Sequence, residues 1–115
     1  MNIKYLDDLW RQAVRLKWKN RSFLGGNAEE IHHIIKRRKK NTRWDIDNGC
    51  PLTLEQHNKV TNQAGAEAEL QKKWGLEKVE ILERKSNEYF DKDYDKIKSS
   101  LKKEIERYMK GEPCE

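Results

Sequence analysis

His32 and His33 are adjacent, Asn48 follows His33 by 15 residues, and His57 follows Asn48 by nine. These are the chain's only histidines. Side chains of these types suit a one-metal phosphodiesterase. Two imidazoles hold a divalent cation, a third takes a proton from water, and an amide fixes the geometry. A phosphodiester resists hydroxide because it is anionic, and a bound cation screens that charge. Neutral imidazole accepts a proton at physiological pH because histidine titrates near neutrality. The proton-accepting ring must stay off the metal, and a neighbour such as Asn48 would fix its tautomer.

The elements that must position these groups are short. Ile3, Leu6, Leu9, Trp10, Ala13 and Val14 recur at helical spacing, which predicts a helix over 3–18, with Asp7 and Asp8 in an early turn. Gly25-Gly26-Asn27 signals a turn. Glu30 to Ile35 is a strand candidate, with Arg43 to Ile46 as its antiparallel partner across a long basic loop. Asn48-Gly49 marks a turn that Pro51 closes. Thr53 is a candidate N-cap for a helix from Leu54 to Asn62, which puts His57 near its start, facing the strands. Helices are expected over 66–74, 76–86 and roughly 90–110. In the last, Phe90, Tyr94, Ile97, Leu101, Ile105 and Tyr108 make one apolar stripe, suited to packing on the domain or on a second copy.

Composition sets the bounds. A chain of 115 residues is one domain, or one small domain with an appendage. With 39% charged residues the core must be modest, yet four tryptophans argue against disorder. The net charge of +5 is concentrated: Lys36, Arg37, Arg38, Lys39, Lys40 and Arg43 fall within eight residues, with no acid until Asp45. Such a run attracts polyanions and makes their binding salt-sensitive. Arg37, Arg38 and Arg43 are the best phosphate contacts, because arginine offers a bidentate fork. Cys50 and Cys114 form no framework, which fits a reducing compartment; Cys50 reads as a small buried residue. No apolar run is of membrane-spanning length and no signal peptide is evident, so the cytoplasm is the expected location.

The segments Glu-Ile-His-His-Ile-Ile and Arg-Trp-Asp-Ile-Asp-Asn-Gly-Cys-Pro-Leu-Thr-Leu-Glu-Gln-His resemble the HNH nuclease superfamily. Asn48, Leu52 and His57 fall in register with its pattern. The likeness is tight over residues 28–62 and looser at Leu9-Trp10 and Trp74-Gly75-Leu76. The Arg-Trp-Asp before Asn48-Gly49 is similar to that of NinG-like phage recombination nucleases. The resemblance implies an α+β, mostly helical fold: a ββα-metal core hairpin plus helix, with flanking N-terminal and C-terminal helices. It divides the chain into a nuclease core over 1–75 and a helical extension over 76–115. It implies that His32 and His57 ligate one divalent metal ion (Mg, Mn, Ni or Zn). His33 would be the general base, and Asn48 would bond across the loop to hold it. The implied products are a 5′-phosphate and a 3′-hydroxyl.

Two departures stand out. Relatives with two Cys-x-x-Cys pairs bind a structural zinc, but Ser22, Gly25, Thr53 and Gln56 occupy those positions here, so no structural zinc is expected. Packing by the four tryptophans is the expected substitute. Where some relatives supply a third ligand, this chain has Thr61 beside Asn62, neither a strong ligand. The reading is a metal-dependent DNA endonuclease of phage recombination or processing, acting in the host cytoplasm on DNA that is branched, nicked or plain. Its alternatives are a catalytically silent DNA-binding module and a host-directed ribonuclease.

Overall fold

Apolar residues at helical spacing fold Ile3–Lys17 into α1, in a computed structural model that describes residues 3–111. There follow strand β1 (Glu30–His33), a helical turn α2 (Lys40–Arg43), a 3-10 turn (Ile46–Asn48) and strand β2 (Gly49–Leu52). Four helices complete the chain: α3 (Leu54–Asn62), α4 (Ala66–Trp74), α5 (Leu76–Ser86) and α6 (Tyr94–Met109). The protein is α+β and mostly helical, and among the described residues the one sheet is the antiparallel pair β1–β2. Cys114 lies outside the described residues.

The strand partner differs from the sequence expectation. β1 pairs with Gly49–Leu52, in the register His32 opposite Cys50 and His33 opposite Gly49, and not with Arg43–Ile46. Arg43 ends a helical turn, and its side chain, like that of Trp44, is drawn onto Asp7 of α1. Asn48-Gly49 is therefore the entrance to β2 and not a hairpin turn. Pro51 sits inside the strand. Its carbonyl accepts the Phe23 N–H at 2.8 Å, on the side away from β1, so its missing donor costs the ladder nothing.

Alternation along the two strands splits the core. Ile31 joins Leu6, Leu9, Trp10, Ala13 and Val14 of α1, together with Trp44, Leu101 and Ile105. On the other face Ile34, Cys50 and Leu52 join Val60, Leu70, Trp74, Val79 and Leu82 from α3, α4 and α5. The α6 stripe is thus spent within the chain, against α1, and residues beyond 76 contribute to both halves of the core. Helix α6 begins at Tyr94, because the Asp93 carboxylate caps it by accepting from Lys96 N at 3.1 Å. Phe90 packs from the preceding loop against Trp44 and Tyr94.

Gly49 lets α1 come this close to β2. A Cβ there would stand 2.5 Å from Val14 Cγ2 and 3.0 Å from Trp10 Cζ2. Among the described residues, no helix is long and apolar enough to cross a membrane.

Candidate metal centre

Adjacent residues of a strand point to opposite faces, so His32 and His33 part company. His32 turns toward α3, where the His57 ring lies 5.4 Å away, centroid to centroid, at 63°. His57 is held there by the start of α3. The Thr53 hydroxyl accepts from Gln56 N, the Gln56 side chain accepts from Thr53 N, and His57 N closes the first full helical bond onto Thr53 O at 2.9 Å.

His32 Nε2 is buried and has no hydrogen-bond partner. A buried imidazole nitrogen left unpaired is costly unless something occupies it. Burial, and then the nearby His57 and His33, push the His32 ring down to about 4, so it is neutral at physiological pH, as a metal ligand must be. Two imidazoles sharing one tetrahedral ion at ~2.1 Å would set their ring centroids ~5 Å apart, close to the spacing present. The donor set therefore fits a divalent cation held by His32 and His57. Among the described residues no group of three or more His, Cys, Asp and Glu side chains converges, and His32 and His57 are the two rings brought together here. Thr61, one turn beyond His57, donates its hydroxyl to the His57 carbonyl at 2.8 Å.

His33 lies on the α1 face. Its ring stacks on Trp10 at 4.0 Å and 11°, and its Nε2 is 3.0 Å from the Arg43 carbonyl. A carbonyl only accepts, so Nε2 carries the proton and Nδ1 carries the lone pair. Burial lowers His33 to about 4, against the opposing pull of the Arg43 carbonyl and Asp7. The ring is thus a weaker base than an ordinary histidine, and it is neutral well below pH 7.

Asn48 is fully buried and bonds across the loop, although not to His33 itself. Its Oδ1 accepts from Ile35 N at 2.7 Å, and its Nδ2 donates to Ile35 O and Thr42 O, both at 3.0 Å. It clamps the chain just after β1 to the turn whose Arg43 carbonyl holds His33.

The basic residues divide. Lys36, Arg37 and Arg38 are exposed on the loop. Lys39 donates to Asn87 Oδ1 at 3.0 Å, and Lys40 Nζ is 3.5 Å from the Tyr94 hydroxyl. Arg43 is turned inward and forms a two-point ion pair with Asp7, at 3.0 and 2.8 Å. Its fork is spent there, which removes it from the set of available phosphate contacts.

Ser22, Gly25, Thr53 and Gln56 meet in a polar clip. Ser22 Oγ donates to Gln56 Oε1, which also accepts from Thr53 N at 2.9 Å, and Gln56 Nε2 donates to the Gly25 carbonyl at 3.0 Å. One glutamine amide thus fastens the 22–25 turn to the start of α3. Beside it Trp18, Phe23 and Trp74 pack ring against ring, whereas Trp10 and Trp44 lie in the other half of the core. Cys50 is buried, and burial pushes its thiol up to about 12, so it is not a nucleophile.

Sequence reasoning missed Asp7 and Trp10. Asp7 falls on the apolar face of α1 among Leu6, Leu9 and Trp10, where an acid must find a partner; that spacing was the available signal. No residue spacing marks Trp10 as the platform under His33. Comparison with protein-family models, curated proteins and solved structures gave no match.

Proposed function

We propose that the chain is a metal-dependent endonuclease of the HNH kind that hydrolyses DNA phosphodiester bonds. The observation that carries this reading is the unpartnered, buried His32 Nε2 beside the His57 ring. The two rings would hold one divalent ion, Mg²⁺, Mn²⁺, Ni²⁺ or Zn²⁺. Bound there, it would screen the phosphate charge and stabilise the departing oxygen. The strand–strand–helix order of β1, β2 and α3 also supports the reading, because it is the order expected of a ββα-metal unit.

His33 Nδ1 takes the proton of the attacking water, while Nε2 stays fixed on the Arg43 carbonyl. Its low basicity in the free protein would rise beside an anionic phosphate, which favours the imidazolium. Water oxygen bonds to phosphorus, the bond from phosphorus to the 3′ oxygen breaks, and that oxygen leaves with a proton from solvent. The products are a 5′-phosphate and a 3′-hydroxyl. Lys36, Arg37 and Arg38 grip the strand through its phosphates.

A second reading has an observation of its own. His33 packed on Trp10 with one nitrogen occupied also suits a purely structural histidine, and hence a silent DNA-binding module. Plasmid cleavage separates the two. The wild type, His32→Ala and His33→Ala are assayed with each metal and with EDTA. Metal-dependent nicking lost in both variants is expected of the nuclease. DNA binding without cleavage under any metal would point to the silent module, and cleavage of RNA alone to a ribonuclease.

A further inference from the structure

We propose that Tyr5, Lys98 and Lys102 form a second anchoring site for the phosphate backbone of a nucleic acid, continuous with the basic loop; this rests on the nucleic-acid reading above. Lys98 Nζ lies 5.5 Å and Lys102 Nζ 5.9 Å from the centroid of the Tyr5 ring. The two lysines are one helical turn apart on α6, and Tyr5 sits opposite them on α1. The ring holds both stems in place and attracts both ammonium groups through its face. Two like charges gathered on one ring repel each other, and an anion between them relieves that cost.

The surroundings leave this charge unspent. Among the described residues neither lysine forms an ion pair. Glu104 and Glu106, the nearest acids downstream on α6, are engaged by Arg107 and Lys110. Asp95, one turn before Lys98, is the remaining acid on this side of the helix.

The patch also has a direction. Tyr94 is one turn before Lys98, and its hydroxyl is 3.5 Å from Lys40 Nζ. Positive groups therefore run from the 36–40 loop through Lys40 to Lys98 and Lys102. On the helix Lys98 and Lys102 are one turn apart, about 6 Å, a spacing similar to that of neighbouring phosphates. A strand lying along this row would be gripped well beyond the histidines.

The test is binding of a short fluorescein-labelled DNA duplex by anisotropy, in EDTA, across a salt series. The expected result for Lys98→Gln/Lys102→Gln is roughly tenfold weaker binding at low salt and a salt slope smaller by about two. Tyr5→Ala should weaken binding in the same direction without removing a charge. Lys72→Gln/Lys73→Gln on α4 carries the same loss of charge elsewhere and should change little. A wild-type affinity matched by the Lys98/Lys102 variant, or an equal loss in the α4 variant, overturns the second site while the nucleic-acid reading stands. A wild type that binds neither this duplex nor a branched DNA nor an RNA probe of the same length overturns both.

Discussion

Asp7 and Arg43, 36 positions apart, form a buried two-point ion pair, and the Trp44 indole N–H donates to the same carboxylate at 2.9 Å. This one carboxylate ties α1 to the turn that carries the carbonyl holding His33. Removing either partner strands a charge with its side chain no more than 16% exposed. Asp7→Ala and Arg43→Ala should each lower stability by about 3 kcal/mol, read from urea unfolding midpoints. A double variant no less stable than either single one would confirm that the two act as a unit. Losses under about 0.5 kcal/mol in both would show that the pair contributes as little as an exposed one.

Asn48 satisfies three backbone groups from a fully buried position. Asn48→Ala should cost about 3 kcal/mol, because those groups would be left unpaired. Asn48→Asp keeps the acceptor for Ile35 N and loses both donors, so it should also be destabilised. Hydrogen exchange gives the sharper check: the Ile35 amide should lose protection in the alanine variant and retain more of it in the aspartate. Unchanged protection in both would show that Asn48 does not hold the loop.

In metal-free protein, acid should weaken the fold in two stages. Burial first, and nearby positive charge with it, hold His32 and His33 near 4, against 6.5 for the unfolded chain. Between these values the unfolded chain binds more protons, so stability rises with pH. This contribution is complete above 6.5 and is lost as pH falls through about 4. Each ring contributes a slope of up to about 1.4 kcal/mol per pH unit in that window. Asp7 adds a lower stage. Burial opposes its charge, but Arg43 and Trp44 outweigh burial and keep the carboxyl below 3.8, so its stabilisation disappears only below that pH. Urea midpoints in EDTA at about pH 7.5 and about pH 5 test the first stage. Equal midpoints would falsify it.

Gly49→Ala should destabilise by about 2 kcal/mol or more, because Val14 and Trp10 leave no room for a methyl group. Pairing it with Val14→Ala should recover part of the loss. A melting temperature unchanged by Gly49→Ala would mean that α1 sits further from β2 than described.

Helices were legible where caps and period agreed. Thr53 announced α3, and the α1 stripe announced its buried face. β2 was not legible because Gly-Cys-Pro-Leu contains two poor strand formers, while Arg-Trp-Asp-Ile has better local propensity. Its pairing is set by distant partners, α1 against Gly49 and Phe23 against Pro51. The nearness of His32 to His57 followed from the family resemblance and from placing His57 at the start of α3. The setting of His33 did not, because Trp10 and the Arg43 carbonyl arrive from elements whose docking no local pattern encodes. Arg43 was read as a surface cation for the same reason: its partner lies 36 positions away.

The packing of α6 on α1 has a consequence for synthesis. Leu101 and Ile105 cover the same core as Leu6, Leu9 and Ala13, and those residues leave the ribosome far earlier. A nascent chain can cover α1 in part with Ile31 and Trp44, but the part that Leu101 and Ile105 cover waits until nearly a hundred residues after Leu6 have been made. A chain halted before Tyr94 would leave that part of α1 exposed, an apolar surface of the kind chaperones and proteases recognise.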